Sequence, residues 1–250
     1  MRRILPVLIA AILLLPMWSN ATSIKPAATY RYEARMAFLN AGVLTLDFDR
    51  KGEVYEFLGV FKTSRAMNKY YTWNGQFASK GQWQGGNPKT EAYLTLSKSS
   101  DDGYKVTLYG PKETRRMRKA SEPFETIPTP QGVDLISALF LSPDCYKGSK
   151  VHDGEDDYEI RLLNRKARAV KATERYYSGP GIQCEYEVRD NKDRKRRIQV
   201  ALAEISGATV AVAASIKIPL LPDPSFRLLI ADAGTLERAE KSSADVLGGL

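Results

Sequence analysis

Residues 30–48 run Tyr-Arg-Tyr-Glu-Ala-Arg-Met-Ala-Phe-Leu-Asn-Ala-Gly-Val-Leu-Thr-Leu-Asp-Phe. Tyr30, Tyr32, Ala34, Met36 and Phe38 alternate with Arg31, Glu33, Arg35 and Ala37. Beyond Asn40-Ala41-Gly42 the alternation resumes, with Leu44, Leu46 and Phe48 set against Thr45, Asp47 and Asp49. Successive side chains of a strand point to opposite faces, so a period of two gives one apolar and one wet face. Two such runs about a turn predict an antiparallel hairpin.

The same signal recurs outward from this hairpin. It appears in Ala92-Leu94-Leu96, Tyr104-Val106-Leu108, Tyr158-Ile160-Leu162, Ile182-Cys184-Tyr186-Val188, Ile198-Val200-Leu202 and Phe226-Leu228-Ile230. Lys51-Gly52, Asp101-Asp102-Gly103, Asp153-Gly154 and Ser206-Gly207 punctuate the runs as turns. About a dozen strands joined by short loops predict a mainly antiparallel sheet. A sheet that wide with one apolar side must curl or split into two layers. The expected fold is all-β: a large, strongly curved antiparallel sheet, an open barrel or β-spiral.

One segment departs from this period. Leu135, Ile136, Leu139 and Phe140 follow helical spacing, with Pro128 and Pro130 before them and Pro143 after. Residues 131–141 are expected to form a short helix packed inside the curl.

The N-terminus reads as an export leader. Arg2 and Arg3 precede the apolar run Ile4–Trp18, and Ser19-Asn20-Ala21 supplies small residues for cleavage after Ala21. The run falls short of the roughly 20 residues of a membrane span and carries Pro6 and Pro16. Residues 22–233 are expected to form the β domain, without a transmembrane segment, and 234–250 a mobile tail. Loss of residues 1–21 removes two arginines and no acids, lowering the net charge from +8 to +6. Cys145 and Cys184 are the only cysteines. In an oxidising compartment an even count reads as a disulfide, with two unpaired buried thiols as the alternative.

These features resemble an exported proteobacterial family called "domain of unknown function 3108". The likeness rests on Asn40-Ala41-Gly42, Gly86-Asn87-Pro88, Gly132-Val133-Asp134-Leu135-Ile136-Ser137-Ala138-Leu139, Val151-His152-Asp153-Gly154 and Cys184-Glu185-Tyr186, and would span residues 28–232. It implies a periplasmic, β-rich, curved fold and carries over no reaction and no catalytic residue. The basic segment Arg189–Arg197 departs from the pattern expected there.

Candidate sites are few. His152, the single histidine, heads an acidic turn with Asp153, Glu155, Asp156 and Asp157. The turn could hold a cation through oxygen ligands but lacks EF-hand spacing, and a solvated Asp-Gly hairpin tip accounts for the same residues. No Gly-x-Ser-x-Gly elbow is present, and no carboxylate pair stands out, so neither a catalytic residue, a metal nor a cofactor is assigned. Arg194, Lys195, Arg196 and Arg197, like the cluster from Lys112 to Lys119, could bind a polyanion or form solvated hairpin tips. Trp73, Phe77 and Trp83 share strand parity beside Gly75, Gly81, Gly85 and Gly86. Such rings could border a groove for an apolar chain or peptide, or fill the core where the sheet bends.

The expected function is a non-catalytic periplasmic factor supporting the cell envelope, binding a lipid, peptide or protein on the curved sheet. An envelope hydrolase with an unrecognised site, or a polyanion-binding protein using the basic loop, are the alternatives. Nucleic acid is not an expected partner of an exported chain.

Overall fold

The computed structural model describes residues 28–69, 72–99, 103–110, 112–119, 121–154, 156–171, 175–205, 207–217 and 223–230. The expected leader (1–21, cleaved after Ala21) and tail (234–250) lie outside these residues.

Fifteen strands form a single open sheet. In the first half, β1 (Ala28–Met36), β2 (Leu39–Lys51), β3 (Val54–Thr63), β4 (Trp73–Gln84), β5 (Asn87–Ser99), β6 (Gly103–Tyr109), β7 (Thr114–Met117) and β8 (Glu125–Ile127) meander outward in chain order. In the second half the chain starts at the opposite edge and meanders back. There β9 (Val133–Asp134), β10 (Lys150–His152), β11 (Asp157–Ala167), β12 (Ile182–Arg189), β13 (Lys195–Ile205), β14 (Ala208–Lys217) and β15 (Pro224–Leu228) follow in order. Strand β15 then pairs antiparallel with β1, joining the halves. Among the described residues the one parallel pair is β9–β10. Its crossover is residues 135–149, the length a parallel connection needs.

This topology forces the curl. Strands β8 and β9 are opposite edges of the sheet, and in a flat sheet of this width they would lie roughly 65 Å apart at the usual strand spacing. Only residues 128–132 connect them, and such a link reaches roughly 20 Å at full extension. The sheet therefore bends until its two edges approach. Its inner face becomes the core, built around Tyr32, Leu44, Leu46, Tyr186, Val200, Leu202 and Val212.

The helix expected over 131–141 does not form; a single helical turn takes its place. Val133 and Asp134 pair with Val151 and His152 as strand, so the helix cannot begin at 131. What remains is a π-helical turn, Ser137–Leu141, with Ser137, Ala138, Leu139 and Phe140 buried. Phe140 meets Tyr32 edge to face at 5.4 Å, placing the turn inside the curl.

Three local expectations are corrected. The first hairpin turns at Ala37-Phe38, with Ala37 at φ 54°, rather than at Asn40-Ala41-Gly42. The latter residues belong to β2, where the register shifts past Ala41. Phe38 therefore leaves the apolar face and is 82% exposed. Glu33, expected on the wet face, is buried: the 175–177 segment folds over it, and its carboxylate accepts from Tyr176 Oη at 2.8 Å and Arg175 Nη2 at 3.1 Å. The inner face of β5 also switches parity. A bulge past Glu91 moves it from Pro88 and Thr90 to Tyr93, Thr95 and Ser97. Leu94 and Leu96, with Val106 and Leu108 of β6, consequently lie on the outer face.

Cys145 and Cys184 form a disulfide, with Cα atoms 5.5 Å apart and both residues buried. It ties the chain just beyond the helical turn to the third residue of β12. Closing the 39-residue separation removes chain entropy worth about 4 kcal/mol from the unfolded state. The double variant Cys145→Ser/Cys184→Ser should thus lose about 2–4 kcal/mol of unfolding free energy in urea titrations, and added reductant should leave it unaffected.

Candidate functional site

The parity switch in β5 turns a polar strip inward, and this strip receives the returning edge of the sheet. Ser79 of β4 and Thr90 of β5 both donate to Asp134 Oδ2, at 2.8 and 2.7 Å. Asp134 Oδ1 accepts from the Ser137 amide at 2.8 Å, which caps the helical turn, and the Asp134 amide donates to Thr90 Oγ1 at 3.0 Å. Asp134, Ser79, Thr90 and Ser137 are all buried. Buried polar groups are tolerated when their hydrogen bonds are met, and here one carboxyl group satisfies three donors. The cap and the cross-wall bonds share this side chain, so the start of the helical turn is held against β4 and β5.

His152, beside Asp134 in register, makes the second contact across the curl. Its ring stacks on Tyr109 of β6, centroids 4.8 Å apart, and meets Tyr93 edge on at 5.6 Å. Nδ1 accepts from the Gly154 amide at 3.2 Å, while buried Nε2 has no hydrogen-bond partner among the described residues. The ring is fully buried, and burial lowers its pKa, against the opposing pull of Asp134, Asp157 and Asp153. The acidic turn following it is occupied internally. Asp153 accepts from Tyr158 Oη at 2.7 Å and from the Asp156 amide at 3.0 Å, and Asp157 accepts from the Gln131 amide at 2.8 Å. Among the described residues no cluster of metal-ligating side chains forms, and Glu155 lies outside them.

Next to this seam lies a cavity of about 240 Å³, lined almost wholly by apolar atoms. Trp73, Phe77 and Tyr93 supply one wall, while Leu135 and Ile136, from the segment Asp134 caps, supply the other. Its floor is the Gly75–Ser97 pair of β4 and β5. The Trp73 ring folds over Gly75 and the Phe77 ring over Gly59; a Cβ at either glycine would collide with it.

The three aromatic candidates do share a face, because β4 keeps its parity throughout. They divide between two settings. Trp73 and Phe77 border the cavity, whereas Trp83 is buried with Tyr55 and Phe57 in a second core cluster. Arg50 lies 5.0 Å above the Trp83 ring.

The basic candidates stand elsewhere, at the β12–β13 hairpin, and are largely paired. Arg194 Nε bonds Asp190 at 2.6 Å, Arg197 meets Glu185 at 3.3 Å, and Lys195 lies 4.0 Å from Glu187. Arg196 makes no ion pair among the described residues; with Lys192 and Arg194 it borders a small polar recess that also contains Asp156 and Asp190. At the other cluster, Arg116 and Arg118 share Glu125, at 2.8 and 3.2 Å.

The Asp134 network was not among the residues singled out from sequence. Its only trace was Asp134 standing three residues before Ser137, the spacing of a helix cap. Comparison of the chain with protein-family models, with curated proteins and with solved structures finds no match in any of the three.

Two outcomes are expected. Asp134→Ala strands the buried Ser79 and Thr90 hydroxyls and uncaps the turn, and should cost about 2–4 kcal/mol in denaturant titrations. For His152, a folded pKa below the unfolded value of about 6.5 means that the unfolded chain binds the proton more readily. Stability should be fully present above that pH, fall as pH drops toward the lower native value, and level off beneath it. His152→Phe should remove this part of the pH dependence, measured as the urea midpoint between pH 7.5 and 5.

Proposed function

We propose that this chain is a non-catalytic, extracytoplasmic protein that supports the cell envelope by holding an apolar chain end on the concave face of its sheet. The observation that carries the proposal is the cavity between β4–β5 and residues Leu135-Ile136. At about 240 Å³ it exceeds a void that accepts a single benzene ring, roughly 150 Å³, and falls below the 300–1,000 Å³ of drug-sized sites. That size suits a stretch of alkyl chain or one apolar side chain rather than a whole lipid. Each methylene moved from water into such a site contributes about 0.8 kcal/mol before the costs of association.

Support for the compartment comes from the leader pattern of residues 1–21 and from the Cys145–Cys184 bridge, a bond that persists in oxidising surroundings. The resemblance to the exported family agrees with it. The paired state of the basic hairpin favours the apolar site over a polyanion surface, because Arg194, Lys195 and Arg197 already face carboxylates.

An uncharged fluorescent probe such as N-phenylnaphthylamine should bind saturably, and gently purified protein should retain an apolar ligand in native mass spectrometry. Ser97→Phe, which fills the floor of the cavity, should weaken probe binding at least tenfold with an unchanged melting temperature. Wild-type binding in this variant, or the absence of saturable binding in the wild type, would remove the proposal.

A further inference from the structure

We infer that the β1–β2 hairpin and the connection between β3 and β4 form a docking face for an anionic lipid bilayer, with Phe38 as the group that enters it. Phe38 stands at the tip of the hairpin and is 82% exposed, with Met36 beside it at 37%. A lone exposed ring is ordinary on a protein surface, and what distinguishes this one is its company. Arg35 Nη2 donates to the Phe38 carbonyl at 3.2 Å. Ser64 braces the hairpin from the next connection, its amide donating to the Ala41 carbonyl at 3.0 Å and its hydroxyl to the Asn40 carbonyl at 2.6 Å. The same hydroxyl accepts from the Met67 amide at 3.1 Å, at the start of a short helical turn that ends at Lys69. Residues 35–41 and 62–69 are therefore held side by side, and together they carry Arg35, Lys62, Arg65 and Lys69 and no acid.

Lys62, Arg65 and Lys69 are exposed and make no ion pair among the described residues, unlike Arg194 and Arg197 of the β12–β13 hairpin. Asp223, just before the residue of β15 that pairs with Met36, is itself paired with Lys217. An aromatic ring on a convex tip with cations around it fits a surface that is apolar within and negative outside. The ring sinks past the headgroups while the ammonium and guanidinium groups stay among the phosphates. A stable protein interface covers roughly 800 Å² on each partner, more than such a tip presents, whereas a bilayer gains from each inserted ring singly. The face also adjoins the cavity. The Trp73 amide donates to Thr63 Oγ1 and that hydroxyl donates to the Trp73 carbonyl, both at 3.0 Å, which ties the aromatic wall to the residue preceding Ser64.

The test is sedimentation of the chain, as its cell processes it, with vesicles of phosphatidylcholine alone or with about 30% phosphatidylglycerol added, at low salt. Partitioning should be about tenfold or more stronger onto the anionic vesicles, and 0.5 M salt should remove most of that advantage. Both comparisons use the unaltered protein and need no variant to fold. Phe38→Ser should weaken binding to the anionic vesicles about tenfold or more, and Arg65→Gln/Lys69→Gln about ten- to thirtyfold. Melting temperatures should be unchanged, because all three side chains are exposed. Whatever the N-terminus contributes is common to every form. Equal partitioning onto both vesicles, no partitioning, or wild-type binding by Phe38→Ser or by the double charge variant overturns the inference. So does a dimer, seen by light scattering without lipid, that Phe38→Ser dissolves, since the ring then belongs to a contact between two copies. None of these measurements involves the apolar probe, so the cavity reading stands or falls separately.

Discussion

The five residues between β8 and β9 bridge the two edges of a fifteen-stranded sheet, and the rest of the molecule follows from their shortness. Were the link long, the same strands could lie in a broad open sheet with one apolar face in water. Because it is short, the edges must approach, and the apolar side chains of β1–β4 and β11–β15 come to face each other. The hydrophobic effect favours this closure but is not directional. It cannot by itself choose which inner strands the returning edge will meet.

That choice is made by polar groups. Hydrogen bonds have set lengths and angles, and those of Asp134 to Ser79 and Thr90 place β9 at one position along β4 and β5. His152, between Tyr93 and Tyr109, does the same one strand further along. Burying a carboxyl group and an imidazole carries a desolvation penalty, met for Asp134 by a full set of donors and for His152 only at Nδ1. The orphaned Nε2 marks the place where closure was achieved at some expense of polar satisfaction.

Charge is distributed according to the same division between outside and inside. The positive excess sits at hairpin tips, where most arginines have a nearby carboxylate and solvent screens what is left. Inside the curl charges are few, and each acts at short range in an environment poorer in water. A cavity walled by Trp73, Phe77, Leu135 and Ile136 and lined almost wholly by apolar atoms is thus chemically unlike the surface of the protein that contains it. The segment that caps on Asp134 also roofs the cavity, so stability and site depend on the same few bonds.

The local code was legible in residues 30–48 and in the runs that repeat their period: strand alternation, hairpin order and an all-β, curved sheet can be read because they depend on neighbours two positions apart. The single helical interval was legible too, from Leu135, Ile136, Leu139 and Phe140, as was the pairing of two cysteines in an even set. Three things required the tertiary structure. The bulge at Glu91 depends on the partner strand β4, and it reversed which face of β5 and β6 turns inward. Glu33 is covered by a segment more than 140 residues away, beyond any local pattern. The Asp134 network joins residues 44 and 55 positions apart, whose proximity exists only once the sheet has curled. Period and turn chemistry are properties of the chain as written; register, bulges and cross-wall bonds arise only when distant strands meet.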